Sequence, residues 1–153
     1  YRLYFLEDAI FGTGPSASII RRDVFESVGG FRPIRHDGDN DLWLRLAAQY
    51  PVLKLQPSLV WWRRHQDQEH VKRKRDVTHY RVCREALGSQ ECPLSATERK
   101  EAVRRLNYRC ARNILGEAFK EKNPRRALTL FRRAGLSLAQ LLKGFVPRSI
   151  AGY

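Results

Sequence analysis

The chain has 153 residues, and its 29 lysines and arginines against 16 aspartates and glutamates give a net charge of +13. That length suffices for one domain or for a larger and a smaller unit, while no apolar run approaches the roughly 18–20 residues of a membrane span. Three cysteines without a Cys-x-x-Cys pair argue against a disulfide framework or a zinc site. We expect these cysteines to be reduced and buried or half-buried, in a cytosolic protein.

The positive charge is concentrated in the second half of the chain. Residues 1–71 contain nine Lys/Arg and nine Asp/Glu, whereas residues 72–153 contain twenty and seven. Such asymmetry predicts two units, 1–70 and 71–153. The second unit either faces an anionic partner or presents a solvated helical surface. Because the chain begins at Tyr1 and enters an apolar segment at once, we expect it to be part of a longer protein.

Short elements follow one another in the first unit. In chain order the sequence predicts a strand over 16–21, a helix over 23–28 that ends at Gly29 and Gly30, a helix over 41–50, and strands over 52–55 and 59–62.

The second unit is predicted to be a helical bundle. Its first helix opens with the basic cluster 72–75 and runs to about Leu87. The Ser95 to Glu98 segment is a capping box, which predicts a helix from there to about 122. Asn123 and Pro124 start the next helix, and a short last helix precedes Pro147.

Three aspartates crowd the loop before the 41–50 helix: Asp37, Asp39 and Asp41. Like charges at this spacing repel one another, so a sequence keeps them where something uses the charge. One use is capping, because carboxylates in a first turn accept free backbone N–H groups and gain from the helix dipole. The others are a cation and a reaction, and the sequence alone leaves these alternatives open.

Three motifs in the first 70 residues, in this order along the chain, carry a family resemblance. They are Ser16–Phe31 with its Val-Gly-Gly-Phe ending, Asp39–Leu46 (Asp-Asn-Asp-Leu-Trp-Leu-Arg-Leu), and Arg63–Gln68 (Arg-Arg-His-Gln-Asp-Gln). Together they resemble the C-terminal half of family 2 glycosyltransferases with the GT-A fold. The resemblance implies an α/β fold for residues 1–70, a partial GT-A sheet with flanking helices, followed by an α-helical appendage over 71–153.

The resemblance also implies an inverting transfer of a sugar from a nucleotide-sugar donor to a hydroxyl acceptor. Asp39 matches the family's general base, while Gly38 stands where the family has a glutamate. Arg63 and His65 match a loop that closes over the diphosphate, and His65 can complete the coordination of a divalent metal, Mn or Mg.

The resemblance further implies that the acceptor is bound by Gly14, Ser16 and Asp41. The donor-binding half, with most of the metal site, is expected upstream, so this fragment alone would be inactive. The parent would be a cytoplasmic enzyme of cell-envelope polysaccharide synthesis, peripheral at the inner face of the membrane, with a saccharide or lipid-linked acceptor. The charge alone also allows a basic helical module that binds an anionic membrane or nucleic acid without catalysis. Of these two partners nucleic acid is the weaker candidate, because the sequence contains no nucleic-acid recognition motif.

Overall fold

A computed structural model of the chain describes residues 1–7, 15–53 and 76–147. Within these ranges the chain forms helices and turns. The elements are a π-helical turn at Leu3–Glu7, a 3-10 turn at Pro15–Ala17, and the helices α1 (Arg22–Ser27), α2 (Gly38–Gln49), α3 (Thr78–Gly88), α4 (Ala96–Phe119), α5 (Pro124–Ala134) and α6 (Leu138–Lys143).

The α/β fold expected for residues 1–70 is wrong for the part of the chain that the structure describes, which contains no strand. Where a strand was expected at 16–21, a 3-10 turn is closed by a 3.1 Å hydrogen bond from the Ser18 N–H to the Pro15 carbonyl, and Ile19 is fully exposed. A strand needs a neighbour to pair its N–H and C=O groups, and no described segment provides one. Of the strands expected at 52–55 and 59–62, the structure describes only Val52 and Leu53, which have no regular structure.

The predicted starts of α4 and α5 are confirmed together with their capping residues, whereas α2 begins at Gly38 rather than at 41 and has no side-chain cap. The Ser95 side chain accepts the Glu98 N–H and the Glu98 carboxylate accepts the Ser95 N–H, so the predicted capping box starts α4. The Asn123 side chain accepts the Arg126 N–H and so caps α5, with Pro124 at the first position of the helix. The first helix of the second unit is described from Thr78 onward, and its basic opening at 72–75 lies outside the described residues.

The long helix α4 lies at the centre of the molecule. It packs against α3, α5, α6 and the Leu3–Glu7 turn, while α2 packs on α3. The main core includes Tyr4, Phe5 and Leu44 together with Leu106 and Ile114 of α4. A smaller core joins α2 to α1. Side chains from before residue 70 and after residue 76 thus share one core, and the division at 70/71 stays a prediction because that boundary lies outside the described residues.

All three cysteines are free and buried, as predicted from their spacing. Burial raises the pKa of the Cys110 thiol to about 12, so this thiol stays protonated and behaves as a small apolar side chain.

Candidate functional site

A tight turn precedes α2 and places the aspartates. His36 has a φ of 70°, in the left-handed region that histidine tolerates better than most residues. Asp37 follows as the residue that flanks the helix start. A Cβ added at Gly38 would lie 3.3 Å from the Arg32 carbonyl oxygen. The glycine therefore lets the turn close against α2, and a glutamate at this position would force the Arg32 carbonyl to move.

Asp41 is held in a buried ion pair. Arg45, one turn further along α2, donates to Asp41 Oδ2 from Nε at 2.9 Å and from Nη2 at 2.7 Å. The same guanidinium donates to the Gly30 carbonyl at 2.7 Å and to the Val28 carbonyl. The two side chains are 7% and 13% exposed. This contact, which we call the Arg45 clamp, fastens α2 to the turn after α1.

Asp37 is also buried, but its partner is a histidine from α3. A hydrogen bond of 3.2 Å joins Asp37 Oδ1 to His79 Nδ1. This bond, with a smaller contribution from Cys83, raises the pKa of His79 to about 10, although the histidine side chain is 52% exposed. Asp37 Oδ2 is buried and makes no hydrogen bond with any residue in the described ranges.

Three further side chains complete a polar cluster around His79. The Tyr4 hydroxyl donates to Asn40 Oδ1 at 2.9 Å, and it lies 3.3 Å from His79 Nε2 and 3.4 Å from Cys83 Sγ. Burial raises the pKa of Tyr4, so the phenol remains a neutral donor. We call Tyr4, Asp37, Asn40, His79 and Cys83 the His79 cluster; it connects the N-terminal turn, α2 and α3.

Asp39 differs from its two neighbours. It lies in the first turn of α2, is half-buried, and accepts the N–H of Asn40 at 2.9 Å through Oδ1. Of the three aspartates it alone has no side-chain partner among the residues that the structure describes. Its carboxylate is thus oriented by the helix start without being neutralised.

A groove with a cavity volume of about 700 Å³ lies between the N-terminal turn, α3, α4 and the end of α6. Its walls contain aromatic and apolar side chains and a set of charged ones. The charged residues along it are Asp76, His79, Arg105, Arg109, Arg112 and Lys120. His79 therefore belongs both to the polar cluster and to the wall of the groove.

Most of the acceptor- and diphosphate-binding residues predicted from sequence lie outside the described part of the chain. Gly14, Arg63 and His65 lie outside the described residues, and Ser16 is an exposed residue of the 3-10 turn. Within the described ranges no group of three or more His, Cys, Asp or Glu side chains is arranged to hold a metal ion. His65, the metal ligand expected from the sequence, lies outside these ranges, so the divalent metal stays a prediction.

Sequence reasoning did not find the His79 cluster or the arginines of the groove. The sequence does indicate part of the cluster, because His79 and Cys83 are four residues apart and therefore lie on one helix face. Their partner Asp37 is 42 residues away from His79 along the chain, and that distance is bridged only by the packing of α2 on α3.

Comparison with known proteins gives no relative. No family model matches the chain, no curated protein is similar to it, and no solved structure matches it. The likeness to family 2 glycosyltransferases consequently depends on the three sequence motifs. Among the described residues, no helix is both long enough and apolar enough to cross a bilayer.

Proposed function

We propose that this chain supplies the general base of an inverting sugar transfer, and that Asp39 is that base. The observation that supports the proposal is the different environment of the three aspartates. Asp37 and Asp41 are buried against His79 and Arg45, whereas Asp39 is half-buried and has no cationic partner in the described part of the chain. A carboxylate that is to accept a proton must be reachable by the acceptor and must not be neutralised by a fixed cation.

The position of Asp39 is also rigid, as the chemistry requires. The Arg45 clamp fixes the first two turns of α2 to the carbonyls of Val28 and Gly30. The Asn40 N–H fixes the carboxylate itself. Holding a catalytic group in place in advance removes an entropic cost from the reaction, since the group does not have to be ordered in the transition state.

The reaction would proceed in one displacement. The acceptor hydroxyl oxygen attacks the anomeric carbon of a nucleotide-sugar, and its proton passes to the Asp39 carboxylate. The bond from the anomeric carbon to the diphosphate oxygen breaks on the opposite face, and the diphosphate leaves with the electron pair. The product is a glycoside of inverted configuration, and the diphosphate is released as a nucleotide.

The test is the Asp39→Asn variant, made in the protein as its gene encodes it and assayed for nucleotide release from a panel of UDP-, GDP- and dTDP-sugars. Asparagine can still accept the Asn40 N–H but cannot take up a proton, so transfer should fall by about 10²- to 10⁴-fold. Binding of the donor should be nearly unchanged.

Asp23→Asn is the matched control, because Asp23 is also a first-turn carboxylate, on α1, but is exposed and paired with Arg21. It should retain wild-type transfer. Transfer at the wild-type rate in Asp39→Asn, or an equal loss in both variants, would remove the assignment.

A further inference from the structure

We propose that the groove between α3 and α4 binds a diphosphate group through Arg109 and Arg112. The groove encloses about 700 Å³, which is within the roughly 300–1,000 Å³ typical of small-molecule sites. Asp39 does not line it. The inference is therefore independent of the base proposed above, and either can fail without the other.

The charges along the groove favour an anion. Among the described residues that line it, four are arginines or lysines and one, Asp76, has a carboxylate. Asp76 is engaged locally, since its Oδ1 accepts the Thr78 N–H at 3.1 Å at the start of α3. His79 adds no net charge, because the hydrogen bond to Asp37 that raises its pKa to about 10 also pairs the imidazolium with that carboxylate. The groove thus has excess positive charge near apolar walls, where an anion is attracted more strongly than at an open surface.

The arginines of α4 that line the groove differ in their hydrogen-bond and ion-pair partners. Arg105 is engaged by Glu101, with its Nε 2.7 Å from Oε1, and by the carbonyl of Leu6. Hydrogen bonds from Arg104, and to a smaller extent from Arg105, lower the pKa of Glu101 to about 2, so this carboxylate is charged throughout the neutral range. Arg105 is therefore already neutralised.

Arg109 and Arg112 remain for a ligand. Arg109 is exposed and has no hydrogen bond or ion pair with any residue in the described ranges. Arg112 lies over the Tyr108 ring, with its guanidinium carbon 5.8 Å from the ring centre, and donates to the Tyr108 hydroxyl at 3.3 Å. A spacing of three residues puts the two guanidinium groups on one helix face.

Two neighbouring guanidinium groups suit a diphosphate better than a single carboxylate. Each planar guanidinium can donate two parallel N–H bonds to the oxygens of one phosphate, and Lys120 supplies a further cation along the same wall. Tyr4, Phe5 and Phe145 line the groove as well and offer apolar surface to the organic part of an ester. A soluble nucleotide and a lipid-linked sugar both contain this diphosphate chemistry.

The experiment compares two double variants of equal charge. Arg109→Gln/Arg112→Gln changes the groove, and Arg132→Gln/Arg133→Gln changes two exposed arginines of α5 that do not line it. Binding of inorganic pyrophosphate and of UDP is measured by isothermal titration calorimetry in magnesium-free buffer at constant salt. Flotation with vesicles that contain a polyprenyl diphosphate is measured beside vesicles with an equal charge of phosphatidylglycerol.

The groove variant should bind at least about tenfold more weakly than wild type, because two charge-assisted contacts are lost, and the α5 variant should stay within about twofold. Binding in the calorimeter identifies a soluble diphosphate ester, and flotation with the polyprenyl diphosphate alone identifies a lipid-linked one. The proposal is overturned if wild type binds none of these probes, if both variants weaken equally, or if phosphatidylglycerol serves as well as the diphosphate lipid.

Discussion

Arg45 holds the start of α2 in place, and we expect its replacement to destabilise the protein. It neutralises a carboxylate that is 7% exposed and satisfies two backbone carbonyls of the turn after α1. Replacing it by glutamine would leave the Asp41 charge buried without its main partner, since Arg32 Nη1 is 3.4 Å from the other oxygen. We expect Arg45→Gln to lower the free energy of unfolding by about 3–5 kcal/mol, measured by urea denaturation.

Arg21→Gln is the comparison for this prediction. Arg21 also pairs with an aspartate, Asp23, but the two side chains are 78% and 64% exposed, and such pairs contribute less than about 1 kcal/mol. A loss of the same size in both variants would mean that the Arg45 clamp contributes no more than a surface ion pair. The Asp41→Asn/Arg45→Gln double variant should be more stable than Arg45→Gln alone, because it removes the unpaired charge.

The sequence could identify the cluster of aspartates but could not assign them their environments. Spacing alone makes Asp37, Asp39 and Asp41 equivalent, and capping was an interpretation open to any of them. The structure separates them through contacts that the local pattern does not contain: Asp37 is joined to His79 in α3, and Arg45, the partner of Asp41, donates to the carbonyls of the turn after α1. The Arg45 contact to Asp41 is the exception, because four residues on one helix place such a pair side by side.

At the scale of elements, we expect the contact between α2 and α3 to depend on pH. The bond from Asp37 to His79 raises the histidine pKa from an ordinary 6.5 to about 10. A pKa that is higher in the folded than in the unfolded chain means that folding favours the protonated form. The stabilisation is therefore complete below about pH 6.5 and is lost as the pH rises through about 10. Because the His79 side chain is 52% exposed, we expect an effect below about 1 kcal/mol.

The measurement is the free energy of unfolding of wild type and of His79→Gln at about pH 6 and about pH 10. Wild type should be the more stable protein at the lower pH, and the difference should shrink toward zero at the higher pH. Tyr4, Asp37 and Cys83, which face the imidazole in wild type, are present in both proteins, so the two proteins differ only in the side chain at position 79. A difference that is constant across this range, or that grows with pH, contradicts the role of the imidazolium.

The starts of α4 and α5 were predictable from sequence, whereas the strand expected at 16–21 is not formed, for a physical reason. Ser95 and Asn123 satisfy N–H groups within three residues of themselves, so the start of a helix is encoded locally. A strand forms only where a neighbouring strand can pair with its backbone N–H and C=O groups. The alternating pattern at 16–21 therefore predicts a strand only if such a neighbour exists. Among the described residues none does, and Pro15 instead begins a 3-10 turn. The resemblance to a sheet-containing family could not supply the missing partner.

At the scale of the whole molecule, one long helix organises the others. The bundle of α4, α5 and α6 was predicted from their apolar faces, but the sequence did not predict that Tyr4, Phe5 and Leu44 would pack into the same core. Those contacts join residues far apart in the chain, and no local periodicity encodes them. The groove is a product of the same long-range packing, since its walls come from the N-terminal turn, α3, α4 and the end of α6.

Gly144 offers a test of this organisation, because it is where α6 ends against α4. A Cβ built there would lie 2.9 Å from both the Ala111 Cβ and the Leu115 Cδ1. Near the same point the Tyr108 hydroxyl donates to the Val146 carbonyl at 2.7 Å. Gly144→Ala must therefore push α6 away from α4, and we expect it to lower the free energy of unfolding by about 1–3 kcal/mol.

The matched control is Gly88→Ala, since a Cβ added at the last residue of α3 meets no atom within 4 Å. Alanine restricts the unfolded chain more than glycine, so this variant should be as stable as wild type or up to about 1 kcal/mol more stable. Gly144 and Phe145 also form the end of the groove, and the displacement of α6 should weaken pyrophosphate binding in Gly144→Ala but not in Gly88→Ala. Equal stability of the two variants in urea would mean that α6 does not pack closely on α4, and the groove would then lack the wall that the end of α6 gives it.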